Sequence, residues 1–294
     1  MVNIKINGVP VQVKEGTTIL KAAAGANMPV PSLCYLEGIN EIGACRVCVV
    51  EIKGVNRLVP ACNNVVEEGM EIETNSPRVR EARRTNVELL LSQHDCNCPS
   101  CVRSGNCSLQ KVANDLGIFA TEYEKDVPKK SWPVDFPLIR DASRCIKCMR
   151  CIQICDKVQD LHVWDIARTG SWATVGVSHN LQITQADCSL CGQCITHCPT
   201  GALRERDDTL KLTSMKGAFA DPGKVTVVQV APAVRSAWGE QLGLTREEAT
   251  PERLVAALKA LGFDYVFDTD FGGDLTIMEE ASEALERLSH KHEY

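Results

Sequence analysis

An α+β protein built from several small domains is the fold class this sequence predicts, and three observations predict it. Residues 2–13 alternate apolar and polar side chains around Asn7-Gly8, the pattern of a short hairpin. Two groups of four cysteines share one spacing 43 positions apart, so one supersecondary unit is used twice. Beyond about Pro222, strand-like and helix-like stretches alternate without a single cysteine. At 294 residues the chain has room for two or more domains of the usual ~100–200 residues.

Taken in order, VNIKI and VPVQV are the two strands of the opening hairpin. Thr17 is placed to cap a helix through TILKAAAGAN, and CVVEI with RLVPAC forms a second hairpin across Lys53-Gly54. The result is a small mixed sheet with one helix, ending near Asn75. Ser76-Pro77 opens a helix through VREARRTNVELLLSQ to His94, with a capping hydroxyl, proline in the first turn and arginines on a solvated face. Cysteine-rich loops run to Cys107, followed by a short helix through LQKVANDLG. Three prolines between Thr121 and Arg144 predict an extended connector before the repeated unit.

After Pro222, VTVVQVAP reads as a buried strand, Thr250-Pro251 opens a helix through LVAALKAL that Gly262 ends, DYVFDT is a strand, and LTIMEEASEALERL a helix. This α/β segment is too short for a complete doubly wound domain. Gly272-Gly273-Asp274 begins the last helix and reads as a plain turn rather than an anion site, and Asp268, Asp270, Glu279 and Glu280 read as solvated carboxylates.

Thirty-eight acidic against thirty-two basic residues leave a net charge of −6, so no global positive field exists to hold nucleic acid or an anionic membrane. No apolar run approaches the ~20 residues of a membrane span, and Met1 to Thr18 lacks the layout of a secretory signal. A cytoplasmic location is expected. Thiols are kept reduced there, which favours metal or redox chemistry over disulfides for the sixteen cysteines, all of which lie between Cys34 and Cys198.

The repeat is C-x2-C-x2-C-x3-C. Three thiolates on one tight loop suit one cubane, while the fourth, expected at the start of the following helix, reaches across to the neighbouring cluster. Cys145, Cys148, Cys151 and Cys198 are thus assigned to one [4Fe–4S] cluster, and Cys188, Cys191, Cys194 and Cys155 to another. Pro199 fits the pattern after Cys198; Asp156 after Cys155 departs from it. Structural zinc is the alternative, but zinc ligands usually come as separated C-x2-C pairs.

Cys34, Cys45, Cys48 and Cys62, spaced x10, x2, x13, match the central pair of the plant-type [2Fe–2S] pattern with a longer first gap. Gly43 and Ala44 leave room there for backbone N–H groups to approach the sulfides. Zinc again is the alternative. Cys98, Cys101 and Cys107 are one ligand short of four. His94 is the preferred fourth ligand of a [4Fe–4S] cluster, with Cys96 as the competitor; a link of two residues to Cys98 would strain two ligands aimed at different irons.

In this order the three groups resemble the N-terminal accessory region of the large [FeFe]-hydrogenases, of the electron-bifurcating, NAD(P)-linked type, and the first two resemble the iron–sulfur N-terminus of the large peripheral subunit of complex I. VAPAVR at 230–235 and FDYVFDTDFGGDLTIMEE at 263–280 resemble the start of the hydrogenase catalytic domain. The resemblance implies a β-grasp [2Fe–2S] domain over 1–76, a [4Fe–4S] domain with one histidine and three cysteine ligands over 77–120, a two-cluster ferredoxin domain over 121–220 and a truncated hydrogenase-like α/β segment over 221–294. In total it implies one [2Fe–2S] and three [4Fe–4S] clusters.

In that family the hydrogen-converting cluster is held by later cysteine motifs, starting with Thr-Ser-Cys-Cys-Pro, and no cysteine follows Cys198 here. The expectation is therefore an electron-transfer subunit with no catalytic site of its own, relaying electrons between a flavoprotein subunit and ferredoxin or another catalytic subunit, an NADP transhydrogenase or a formate dehydrogenase. The partners implied are an NADH-oxidising flavoprotein, a thioredoxin-like [2Fe–2S] subunit, ferredoxin and a further catalytic subunit, in a complex that bifurcates electrons. The alternative is the N-terminal part of an [FeFe]-hydrogenase catalytic subunit. No dinucleotide fingerprint or P-loop competes with these readings.

Overall fold

Asn7 and Gly8 both take left-handed backbone angles, φ 51° and 79°, and close β1 (Val2–Ile6) and β2 (Val9–Val13) into the expected hairpin. Val2, Ile4 and Ile6 alternate inward and Asn3 and Lys5 outward, as a sheet with one buried face requires. The computed structural model describes residues 1–289 and shows a mixed α/β chain that divides into two units, Met1–Arg206 and Asp207–Tyr294.

In the first unit, α1 (Ile19–Gly25) is capped by Thr18, not by Thr17. The Thr18 side chain accepts from the Lys21 N–H, whereas the Thr17 hydroxyl donates to the Lys14 carbonyl and belongs to the preceding turn. Adjacent threonines offer the same chemistry, and the chain's path into the turn selects between them. The second hairpin forms from β3 (Val49–Ile52) and β4 (Val59–Pro60). A fifth strand that alternation does not mark, β5 (Glu71–Glu73), sits centrally, parallel to β1 and antiparallel to β3. The sheet order is β2-β1-β5-β3-β4. Ile19, Leu20, Ala22 and Ala23 of α1 close the core against Ile4, Ile6, Val50 and Ile72.

The helix α2 (Pro77–Ser92) starts as expected, with Ser76 accepting from the Val79 N–H and proline in the first turn. Its arginines do not all face solvent. Arg83 is buried and donates to the carbonyls of Val47, Val49 and Thr74 at 2.9–3.1 Å. Three carbonyls meet at this helix–sheet junction, and a forked guanidinium serves all of them. The helix α3 (Ser108–Asp115) adds Leu109, Val112 and Ala113 to a second core containing Leu33, Val47, Val87 and Ile146.

The connector stays irregular to Pro137 but is anchored: Trp132 stacks on Trp164, centroids 5.9 Å apart, and its indole donates to the Leu138 carbonyl. Next come β6 (Leu138–Arg140), α4 (Arg150–Lys157), β7 (Trp164–Ala167), β8 (Thr174–Val177), α5 (Gln193–Thr196) and β9 (Leu203–Glu205). β6 pairs with β9 and β7 with β8, both antiparallel. The sequence repeat is also a backbone repeat: Lys147 and Leu190 have φ 56° and 57°, and Met149 and Gly192 have φ 64° and 73°.

The second unit contains α6 (Thr209–Thr213), β10 (Val227–Val230), α7 (Pro232–Ala237), α8 (Pro251–Leu261), β11 (Tyr265–Asp268) and α9 (Thr269–Ser289). Thr250 caps α8 and Gly262, at φ 117°, ends it. β10 and β11 pair in parallel, but β10 is not a buried strand: of its residues only Val230 is buried, since a two-stranded parallel sheet has too little around it to cover both faces. The last helix begins at Thr269, before the glycine pair, because Asp268 accepts from the Phe271 N–H. Gly272 lies inside it, where a Cβ would meet the Gln229 side chain at 2.6 Å. Asp268 and Asp270 are largely exposed, as expected of solvated carboxylates, and both also pair with Arg235. No described helix is long and apolar enough to cross a membrane.

Candidate metal centres

All sixteen cysteines are free thiols. Cys34, Cys45, Cys48 and Cys62 are buried beside the first sheet. Two left-handed turns in the loop before β3 shape the approach to Cys45 and Cys48: Gly43 at φ 66°, against Pro60 and Asn63, and Arg46 at φ 55°. Hydrogen bonds with the Cys45 and Cys62 thiols hold Cys34 far below the usual thiol range, helped by the N–H groups of Cys45 and Ala44. The Cys62 contact, together with backbone N–H groups, brings Cys48 down to about 7. Cys45 is pushed up by its bond to Cys34 and then by burial, and Cys62 by its bonds to Cys34 and Cys48 and then by burial. The thiols thus meet as Cys34 with Cys45 and Cys48 with Cys62, and Cys34 also touches Cys62.

Cys155, Cys188, Cys191 and Cys194 line one cavity of about 300 Å³ in the second half of the first unit. Cys145, Cys148, Cys151 and Cys198 line a second, smaller one. Each cavity takes three cysteines from one copy of the repeat and one from the other. The fourth cysteines are not at helix starts: Cys155 is in the last turn of α4 and Cys198 lies two residues beyond the end of α5. The left-handed residues Met149 and Gly192 start each helix just before the third cysteine instead, so the fourth falls a turn later and faces across.

Burial raises Cys145, Cys148, Cys151, Cys155 and Cys194, with Cys148 and Cys194 brought to about 12 and Cys151 well above its ordinary value. The Trp164 indole hydrogen-bonds Cys194. Arg103 donates to the Cys198 carbonyl at 2.7 Å, and the Thr200 hydroxyl to the Arg144 carbonyl at 2.7 Å. Asp156, in the place of the expected proline, pairs with His162 at 3.0 Å.

His94, Cys96, Cys98 and Cys107 line a third cavity of about 550 Å³. His94 is buried, and its Nδ1 has no hydrogen-bond partner among the described residues; burial lowers the imidazole to about 4, so the ring is neutral and available as a ligand. Cys96 is exposed and in contact with Lys125, whose ammonium lies 3.2 Å from its sulfur. Cys101 is not in that cavity's wall; a Cβ on Gly201 would come within 2.7 Å of its sulfur, so a glycine is needed beside it. Among the described residues, no three His, Cys, Asp or Glu side chains converge closely enough to hold a single metal ion.

Sequence reasoning missed the residues that join these loops. Asn40, with no exposed surface, donates to the carbonyls of Cys34 and Cys148. Arg150 donates to those of Cys34 and Tyr35, and Lys157 to that of Ile39. A lone asparagine in a loop carries no signal of such a role; its partners lie 6 and 108 positions away.

Four family descriptions match the chain in succession. They are a 2Fe-2S iron–sulfur cluster binding domain over 1–77, the NADH-ubiquinone oxidoreductase-G iron–sulfur binding region over 83–121, a 4Fe-4S dicluster domain over 139–202, and the C-terminal domain of the iron only hydrogenase large subunit over 224–294. The chain is 43% identical to the NADP-reducing hydrogenase subunit HndD of Solidesulfovibrio fructosivorans and 34% identical to iron hydrogenase 1 of Clostridium pasteurianum, in each case over 99% of this chain and 50% of the relative. It therefore spans about half the length of these curated relatives. Among solved structures it is similar to an NAD+-reducing [NiFe]-hydrogenase in the H2-reduced state, with a TM-score of 0.65 and 25% identity over 70% of this chain and 87% of that one. Module by module, the chain is similar to iron–sulfur cluster domains over 1–202, among them that of the NADH-ubiquinone oxidoreductase G subunit over 83–121, and to the C-terminal domain of the iron only hydrogenase large subunit over 224–294, and it is similar as a whole to about half of the iron-only hydrogenase chain.

Proposed function

We propose that the chain acts as an iron–sulfur electron-transfer subunit of a multi-subunit NAD(P)H-linked oxidoreductase, relaying electrons between a flavoprotein and ferredoxin or another catalytic subunit. The observation that carries this reading is the exchange of fourth cysteines: Cys155 stands with Cys188, Cys191 and Cys194, and Cys198 with Cys145, Cys148 and Cys151. Two cubanes held that way sit side by side. Thiols that surround cavities rather than converge on a point suit multi-iron clusters better than single zinc ions.

The residues present fit the groups implied. Cys34, Cys45, Cys48 and Cys62 would hold a [2Fe–2S] cluster in a β-grasp domain, with Cys34 and Cys45 on one iron and Cys48 and Cys62 on the other, following their contacts. His94, whose buried Nδ1 is unpartnered, would complete a [4Fe–4S] set with Cys98, Cys101 and Cys107. When bound, such clusters supply one-electron storage. The protein fixes their spacing through Asn40 and Arg150 and sets local polarity through N–H groups aimed at sulfur, as at Cys34 and Cys194.

The partners that follow are an NADH-oxidising flavoprotein, a thioredoxin-like [2Fe–2S] subunit, ferredoxin and a further catalytic subunit in a bifurcating cytoplasmic complex. Anaerobic reconstitution should yield one [2Fe–2S] and three [4Fe–4S] signals in a chain unable to oxidise NADH alone; tightly bound zinc with no acid-labile sulfide would end the proposal.

A second reading, the N-terminal part of an [FeFe]-hydrogenase catalytic subunit, is favoured by the second unit. None of the residues of α9 is buried, and Val227, Tyr265, Phe271, Ile277 and Met278 are exposed apolar groups awaiting a cover. Hydrogen evolution from reduced viologen by the native gene product would establish it.

A further inference from the structure

The first unit carries a positively charged pocket that no cluster ligand lines. Lys129, Lys130, Lys147, Arg168 and Trp172 line a cavity of about 550 Å³, and Asp126 is the one acid in its wall. The overall charge of the protein is −6, so this is a local reversal of sign. Lys129, Lys130 and Arg168 are exposed and have no hydrogen-bond or ion-pair partner among the described residues, and Trp172 is 70% exposed.

The floor of the pocket joins two cluster loops. Gln93, also in its wall, precedes His94; Lys147 lies between Cys145 and Cys148. The Lys147 ammonium donates to Gln93 at 2.7 Å and to the Ser171 carbonyl at 3.0 Å, and the Gln93 amide donates to the same carbonyl. A body seated here would stand directly over the backbone of two proposed cluster sites.

We infer that this pocket is the docking surface for an acidic protein electron carrier, which delivers or removes electrons through the loops of His94 and Cys145. The inference rests on the cluster reading above. A macromolecule fits better than a small anion because the free cations are on the exposed rim, while the partly buried Lys147 is already engaged by neutral acceptors. A small anion is gripped by buried donors; an acidic protein is steered by rim charges and anchored on an exposed aromatic such as Trp172. The acidic remainder of the surface repels the same partner elsewhere. One electron passes at each encounter, oxidising the carrier and reducing a cluster; no bond is made and no proton is needed.

The test is stopped-flow oxidation of a small, acidic, reduced ferredoxin by the cluster-loaded full chain, together with calorimetric binding of the oxidised ferredoxin. In the triple reversal Lys129→Glu, Lys130→Glu, Arg168→Glu, the second-order rate should fall at least about tenfold at low salt and lose its ionic-strength dependence, and binding heat should vanish. Reduction by methyl viologen and the visible spectrum should be unchanged. Wild-type rates and salt dependence in the reversal would overturn the docking site, as would saturable NADPH binding abolished by the reversal while ferredoxin oxidation persists. A chain that holds no iron after reconstitution fails the cluster reading instead, and the spectrum shows that separately.

Discussion

Asn40 donates its side-chain amide to the carbonyl of Cys148, 108 positions further along, at 2.9 Å, and to that of Cys34 at 2.8 Å. Both acceptors are carbonyls, so the nitrogen assignment of the amide is fixed by its partners. One buried side chain thus ties the loop of the proposed [2Fe–2S] site to the first cysteine loop of the repeat. The tie is reinforced by Arg150 reaching the Cys34 and Tyr35 carbonyls.

Asn40→Ala takes a donor from two buried carbonyls; that of Cys34 keeps Arg150, so the unsatisfied group is the Cys148 carbonyl and the loss should be about 1–3 kcal/mol. Urea denaturation of the apoprotein measures it. In the cluster-loaded protein the same change should weaken the magnetic coupling between the reduced [2Fe–2S] and its neighbour; wild-type coupling would deny Asn40 a positioning role.

Arg83 is the corresponding tie inside the first module. Arg83→Met keeps much of the volume but strips three carbonyls, including Val47 between Cys45 and Cys48, of this donor. A destabilisation of about 3 kcal/mol is expected, with Arg83→Lys falling in between because the three donors of an ammonium radiate from one nitrogen and cannot span the Nε and Nη2 positions that Arg83 uses. The [2Fe–2S] absorbance should bleach faster in air than in wild type.

His94→Cys should retain the cluster and lower its potential, since thiolate brings negative charge that neutral imidazole lacks. Cys96→Ser should leave the potential where it is. A potential that moves with Cys96 and not with His94 would reverse the ligand assignment.

Buried thiols set an alkaline limit for the apoprotein. Cys148 and Cys194 titrate near about 12 when folded but at the ordinary 9.0 when unfolded, so above pH 9 the unfolded chain sheds protons that the folded chain keeps. Their contribution to stability is complete below about pH 9 and is lost as pH rises to about 12, by up to about 4 kcal/mol per thiol. Circular dichroism should show the apoprotein unfolding at lower pH than the cluster-loaded protein, whose thiolates are already deprotonated and bound to iron.

What the sequence could show is what depends on near neighbours. The Asn7-Gly8 turn, the Ser76-Pro77 and Thr250-Pro251 helix starts and the 43-residue repeat are each written within a few positions or in a fixed spacing, and each appears in the structure. β5 leaves no mark in the sequence because three residues carry too little alternation, and the sequence does not separate Thr17 from Thr18 as the cap because the two differ only in the path of the chain between them.

By itself, the sequence determined which atoms are available as ligands and in what local order, because spacing within a loop is a covalent property. Only the tertiary structure decided that Arg83 turns inward, that Asn40 spans two loops, that β10 lacks a cover and that Lys129, Lys130 and Arg168 gather over the loops of His94 and Cys145. Such contacts join residues tens of positions apart, and their energy exists only once the intervening chain has packed.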